Sequence, residues 1–81
     1  MPDRLIKLRD LRRILRSFDC WEEASRGKGG HTMFFRMIDG QKFSYPIPGR
    51  DDVLACYIRG ARRKFRLTAD DGVSDADFYC R

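Results

Sequence analysis

The sequence predicts an α+β fold: a three-stranded antiparallel sheet with two helices packed on one face, in the order α-β-β-β-α, plus a short C-terminal helix. Three observations carry that prediction. Apolar residues recur at helical spacing before and after the middle of the chain, and the middle itself reads as extended. Between two apolar runs stands Asp39-Gly40, a dipeptide suited to a type I′ hairpin turn. The 81 residues make a single domain, 1–81. A chain of this size buries only roughly 60–65% of its unfolded surface, so one layer of helices on a small sheet is about its limit.

Taken in order, residues 9–18 place Leu11, Ile14, Leu15 and Phe18 on one stripe, which Leu8 extends backwards, with Arg12, Arg13 and Arg16 in the gaps. This is an amphipathic helix with a cationic outer face. Leu5, Ile6 and Leu8 suit either a preceding extended segment or an earlier helical turn. Residues 20–25 read as a short peripheral strand around Trp21, and residues 26–30, with three glycines, as a loop. Residues 31–38 carry apolar side chains on both faces, which predicts a central strand. Residues 41–47 form the returning strand, with Phe43, Tyr45 and Ile47 on one face and Pro46 and Pro48 ending it.

Asp51 and Asp52 suit the positive end of a second helix dipole. That helix carries Val53, Leu54, Tyr57, Ile58, Ala61 and Phe65 inward and turns Arg59, Arg62, Arg63, Lys64 and Arg66 mostly outward. Gly60 weakens it by about 1 kcal/mol relative to alanine unless a close helix-to-sheet contact requires it. Asp71-Gly72 breaks the chain, and Ser74 caps a final turn ending at Phe78.

Lysine and arginine number 17 against 12 acidic residues, giving a net charge of +5. Residues 1–69 hold 16 basic and 8 acidic groups, whereas residues 70–81 hold Asp70, Asp71, Asp75 and Asp77 against Arg81. A basic body points to a polyanionic partner, nucleic acid first. The cysteines, Cys20, Cys56 and Cys80, are odd in number and lack C-x-x-C spacing, so neither a disulfide framework nor a zinc site is expected, and buried or half-buried reduced thiols are. No apolar run approaches the ~20 residues of a membrane span, and the start of the chain lacks a signal-peptide core. A cytoplasmic protein without membrane association is the expectation.

The stretch Gly27-Lys28-Gly29-Gly30-His31-Thr32-Met33-Phe34-Phe35 delivers the only histidine to the start of the central strand. Since no other side chain titrates near neutral pH by default, proton-transfer chemistry here has to be built on His31. The glycines do not make a nucleotide-binding motif, because they lead into a strand and not into a helix. Phe34, Phe35 and Phe43 read as core in preference to base-stacking platforms.

A basic helix ending near a tryptophan, a Gly-rich basic loop with Gly-x-His, an apolar strand, an Asp-Gly hairpin, a Pro-terminated strand and a second helix resemble the HicA/YcfA-like family. The ending Gly72-Val73-Ser74-Asp75-Ala76-Asp77-Phe78 resembles that family's G-x-S-x-x-x-F pattern. A glycine, Gly30, stands where the family usually has serine before the histidine. The resemblance implies a double-stranded-RNA-binding-domain-like fold. It also implies an mRNA interferase, the endoribonuclease toxin of a type II toxin–antitoxin pair, held inactive by a HicB-like antitoxin protein, with His31 as catalytic residue.

RNA carries its own nucleophile, so such a reaction needs no metal and no small-molecule cofactor. A neutral imidazole removes the 2′-hydroxyl proton, for an effect of roughly 10²–10⁴-fold, and the oxygen attacks the adjacent phosphate. Lys28 and the loop amides of Gly29 and Gly30 are placed to hold the developing charge. Arg59, Arg62, Arg63, Lys64 and Arg66 complete the candidate RNA-binding set, and Tyr45, Lys28 or water is the expected proton donor. The alternative is a non-catalytic RNA-binding module, in which the same basic helices read phosphates and shape.

Overall fold

The computed structural model describes residues 3–23 and 31–81. The elements are β1 (Ile6–Lys7), α1 (Leu8–Ser17), β2 (Trp21–Glu23), β3 (His31–Ile38), β4 (Gln41–Pro48), β5 (Asp52–Val53), α2 (Ala55–Lys64) and α3 (Asp75–Tyr79), with a 3₁₀ turn at Ala69–Asp71. Strands β2, β3 and β4 form the antiparallel sheet, with β3 central, and helices accompany it as expected. The loop expected at residues 26–30, and the end of the peripheral strand, lie outside the described residues.

Helix α1 buries Leu11, Ile14 and Leu15 and leaves Arg9, Arg13 and Arg16 exposed. No side chain caps its start. Instead the Leu8 N–H donates to the Asp51 carbonyl at 2.7 Å, so the backbone beside β5 satisfies a helix-end donor that would otherwise be orphaned. At the far end Asp19 takes the left-handed conformation (φ 64°), while Cys20 N–H donates to Leu15 O and Asp19 N–H to Arg16 O. This is a Schellman closure built without glycine. Helix α2 ends the same way, with Arg66 at φ 55° and Leu67 N–H bonded to Arg62 O.

Asp39 (φ 52°) and Gly40 (φ 80°) both take positive φ, as a type I′ turn requires, and β3 pairs with β4 from His31↔Pro48 to Ile38↔Gln41. Phe34 is buried, so the face it shares with Thr32 and Arg36 is the helix side, together with their partners Tyr45, Ile47 and Phe43 on β4. The core joins Leu11, Ile14, Leu15, Phe34, Ile47, Ile58, Phe65 and Phe78.

Helix α2 runs antiparallel to β4, its Gly60 against Tyr45. A Cβ at Gly60 would stand 1.9 Å from the Tyr45 hydroxyl oxygen, which is the close helix-to-sheet contact that calls for glycine. Ser74 caps α3 by accepting from Asp77 N–H at 3.0 Å, and Phe78 stacks on Phe18 with ring centres 5.8 Å apart.

The structure departs from the sequence expectation at several points. Ile6 and Val53 pair across a second, two-stranded sheet, β1 with β5, so Val53 belongs to a strand and not to α2. Asp51 and Asp52 therefore precede the helix instead of occupying its first turn, which holds no acidic residue. Phe35 is not in the helix-side core: it lies on the opposite face, stacked on Trp21 with ring centres 5.8 Å apart and Lys42 Nζ 4.3 Å from its ring centre. Cys20 is buried, as expected, and desolvation pushes its thiol pKa up to about 12, whereas Cys56 and Cys80 are exposed.

Candidate functional site

His31 opens β3, and its side chain is exposed. Its strand partner is Pro48, the last residue of β4. Beyond Pro48 the chain turns through Gly49, Arg50 and Asp51 into β5, and then into α2. These segments wall an open groove of about 710 Å³, lined by His31, Pro48, Arg50, Asp51, Leu54 and Tyr57 among others. The first residue of the central strand thus presents the imidazole to solvent, in the groove that the start of the second helix also lines.

The electrostatics of this groove are mixed. Arg50 is the cation among the lining residues, and Asp51 and Asp52 are the anions. Asp52 is engaged: Lys7 Nζ lies 2.7 Å from its carboxylate, and that hydrogen bond raises the lysine pKa above its ordinary value. Lys28, Gly29 and Gly30, expected to contribute a cation and amide donors, lie outside the described residues.

The basic cluster of α2 does not converge on His31. Lys64 Nζ and Arg66 Cζ each lie 5.8 Å from the Phe43 ring centre, and Arg66 reaches Asp39 of the hairpin turn at 3.4 Å. His31 and the hairpin occupy opposite ends of β3, seven residue steps or roughly 23 Å apart at the usual strand rise. Arg63 is exposed toward the same basic end of the helix, and Arg59 is exposed midway, 3.9 Å from Asp3. Four of the five basic residues expected to face outward therefore do so, three of them (Arg63, Lys64 and Arg66) at the end of α2 away from the imidazole.

Arg62 is the exception, and it is withdrawn from the RNA-binding set. Its guanidinium is buried, donating to the carbonyls of Leu67 (2.8 Å) and Val73 (3.1 Å) and to the carboxylates of Asp3 (2.9 Å) and Asp75 (2.6 Å). Its carbon lies 4.6 Å from the Phe78 ring centre. Desolvation works to lower its pKa, yet the hydrogen bonds it donates to Asp75 and Asp3 leave it raised. Structural partners take four of the five donors of the fork, and burial of the whole side chain keeps it from a phosphate. Sequence periodicity misplaced it because arginine was read as polar surface, while position 62 follows buried Ala61 on the inner stripe.

Tyr45 is likewise removed from the expected proton donors. It lies on the helix side of the sheet with its hydroxyl over Gly60, and it does not line the His31 groove. Helical spacing places Leu54 and Tyr57 on the inner stripe of α2 and gives no signal for Arg50, so the sequence does not reveal these three as groove residues. In the structure Leu54 and Tyr57 are exposed, at 52% and 36%. Among the described residues no cluster of three or more His, Cys, Asp or Glu could hold a metal ion. No helix among them is long and apolar enough to cross a membrane.

Comparison with known proteins adds nothing to this geometry: no family model matches the sequence, and no curated protein or solved structure matches the chain.

Proposed function

We propose that the protein is an RNA-cleaving enzyme, the toxin of a toxin–antitoxin pair, in which His31 is the general base. The observation that supports this reading is the exposure of the lone imidazole on the wall of the groove, fixed to the first residue of the central strand. Neutral His31 takes the proton of a ribose 2′-hydroxyl; the oxygen bonds to the neighbouring phosphorus; the bond to the 5′-oxygen breaks; and that oxygen takes a proton from water. Products are a 2′,3′-cyclic phosphate and a 5′-hydroxyl end. Arg50 lines the same groove, and Lys28 belongs to the segment that leads into His31.

In this reading the exposed basic end of α2 holds the RNA backbone at a distance from the cut. A HicB-like antitoxin, the partner that the family resemblance implies, would inactivate the toxin by covering His31 and the groove.

The second reading is a non-catalytic RNA-binding module. It is favoured by one observation: Arg63, Lys64 and Arg66 gather at the end of α2 away from His31. Induction of wild-type protein against His31→Ala separates the two. Growth arrest and metal-independent RNA cleavage that disappear in the variant support the toxin; RNA binding without cleavage in both supports the module.

A further inference from the structure

The groove beside His31 also collects most of the exposed apolar bulk of the described surface. Four large apolar side chains stand out into solvent: Leu5, Met37, Leu54 and Tyr57. Three of them, Leu5, Leu54 and Tyr57, line this one groove, although they come from the N-terminal segment and from the start of α2. Singly exposed apolar residues are ordinary on a protein surface, whereas convergence on one concave site marks a binding surface.

The charges in the groove narrow the ligand further. Asp52 is held by Lys7 at 2.7 Å, whereas Asp51, which lies between this groove and the smaller one of Lys7, Leu8, Arg9 and Arg12, acts on the Lys7 ammonium only through its charge. On the groove side the Asp51 carboxylate repels a phosphate. It is, however, a good acceptor for the exocyclic amine of a base, and an aromatic ring such as Tyr57 stacks on any base. A volume of about 710 Å³ lies within the range of small-molecule sites.

Resting on the ribonuclease reading, we propose that this groove receives an unpaired nucleobase bearing an exocyclic amine, stacked on Tyr57 between Leu5 and Leu54 with its amine donated to Asp51, beside the bond cleaved at His31. The substrate is then single-stranded. In a duplex the faces of the base are covered by its stacked neighbours and its amine is used in pairing, so the base must leave the helix to be held this way.

The test is binding of non-cleavable 2′-O-methyl oligocytidine and oligouridine, followed by fluorescence anisotropy, for wild type, Tyr57→Leu, Tyr57→Phe and Asp51→Ala. Thermal melts confirm that each variant folds. Loss of one base–aromatic stack weakens binding about tenfold in Tyr57→Leu, whereas Tyr57→Phe, which keeps the ring, binds as wild type. Wild type prefers oligocytidine over oligouridine, and Asp51→Ala removes that preference. Wild-type affinity in Tyr57→Leu, or equal affinity of wild type for the two oligonucleotides, overturns the inference.

The two readings fail separately. Ring-dependent binding by a protein that cuts no RNA removes the nuclease and keeps the base site. His31-dependent cleavage with binding indifferent to Tyr57 removes the base site and leaves the groove for an apolar side chain of a protein partner.

Discussion

Arg62 shows how one side chain can tie together segments far apart in sequence. Its four hydrogen-bond partners belong to the N-terminal segment (Asp3), the stretch after α2 (Leu67 and Val73) and the start of α3 (Asp75). Arg62→Met removes the one donor that joins the Asp3 and Asp75 carboxylates to the Leu67 and Val73 carbonyls, and we expect it to destabilise the fold by about 3 kcal/mol, read from urea unfolding. Lysine will not rescue it, because a single ammonium cannot reach four acceptors in a planar fork. A variant within ±0.5 kcal/mol of wild type would show the buried network to be dispensable.

Gly60 makes a second case at this scale. Gly60→Ala gains helix propensity of about 1 kcal/mol but drives its methyl into the Tyr45 ring, and overpacking of this kind costs about 1–3 kcal/mol. The expected result is a lowered melting temperature in the wild-type background and a raised one in a Tyr45→Ala background. Equal effects in both would remove the close contact as the reason for the glycine. The sequence reading anticipated the contact at Gly60 but not its partner, since nothing local distinguishes Tyr45 from the other aromatic residues of its strand.

At the scale of elements, local signals served well where the chain's own neighbours decide the structure. Strand β3 runs from His31 to Ile38 as the apolar run indicated, Asp39-Gly40 makes its turn, and Ser74 caps α3. They failed where a distant partner decides: β1 and β5 are two residues each and exist only because Ile6 meets Val53 across the fold. Phe35 was misplaced because a strand with apolar residues on both faces does not announce which face the helices cover.

Both long helices close on non-glycine residues in the left-handed region, Asp19 and Arg66. The preference for glycine at such positions predicts that Asp19→Gly stabilises the protein by up to ~1 kcal/mol. A fall in melting temperature would mean that the Asp19 side chain contributes more than its backbone costs.

At the scale of the whole molecule, the basic body and the acidic end are not two independent regions. Asp75 is bound to Arg62, and Asp71 accepts from the Thr68 hydroxyl and backbone N–H, so these contacts hold part of the acidic end against α2 or in the turn before α3. The hydrogen bond from Arg62 lowers the Asp75 pKa, and that from Thr68 lowers the Asp71 pKa, both from an ordinary 3.8. A carboxylate whose folded pKa is depressed contributes stability that is fully present above its unfolded value and lost as pH falls through the folded one. Stability should therefore hold between pH 5 and 7, with ~5 as its lower edge, and fall on acidification below the ordinary carboxylate range. Asp75→Asn should flatten that fall, and an unchanged acid transition in the variant would contradict the assignment.

The net charge of +5 and the exposed Arg63, Lys64 and Arg66 predict RNA affinity that falls linearly in log salt. Removing all three charges should flatten the slope while leaving the proposed His31-dependent cleavage in place at low salt. The candidate site was legible in the sequence only at its chemical centre: the lone histidine stood out by its type, whereas the groove around it is assembled from three segments that only the fold brings together.

In the proposed reaction the exposed imidazole at the start of β3 removes a proton from RNA. The most direct measurement of that step is cleavage of a single-stranded RNA in EDTA by wild type and by His31→Ala, with binding of the uncleaved RNA followed in parallel. Equal binding, wild-type cleavage to 2′,3′-cyclic phosphate ends, and a loss of roughly 10²–10⁴-fold in the variant are expected. Cleavage by His31→Ala at the wild-type rate, or no cleavage by either protein, would contradict that step.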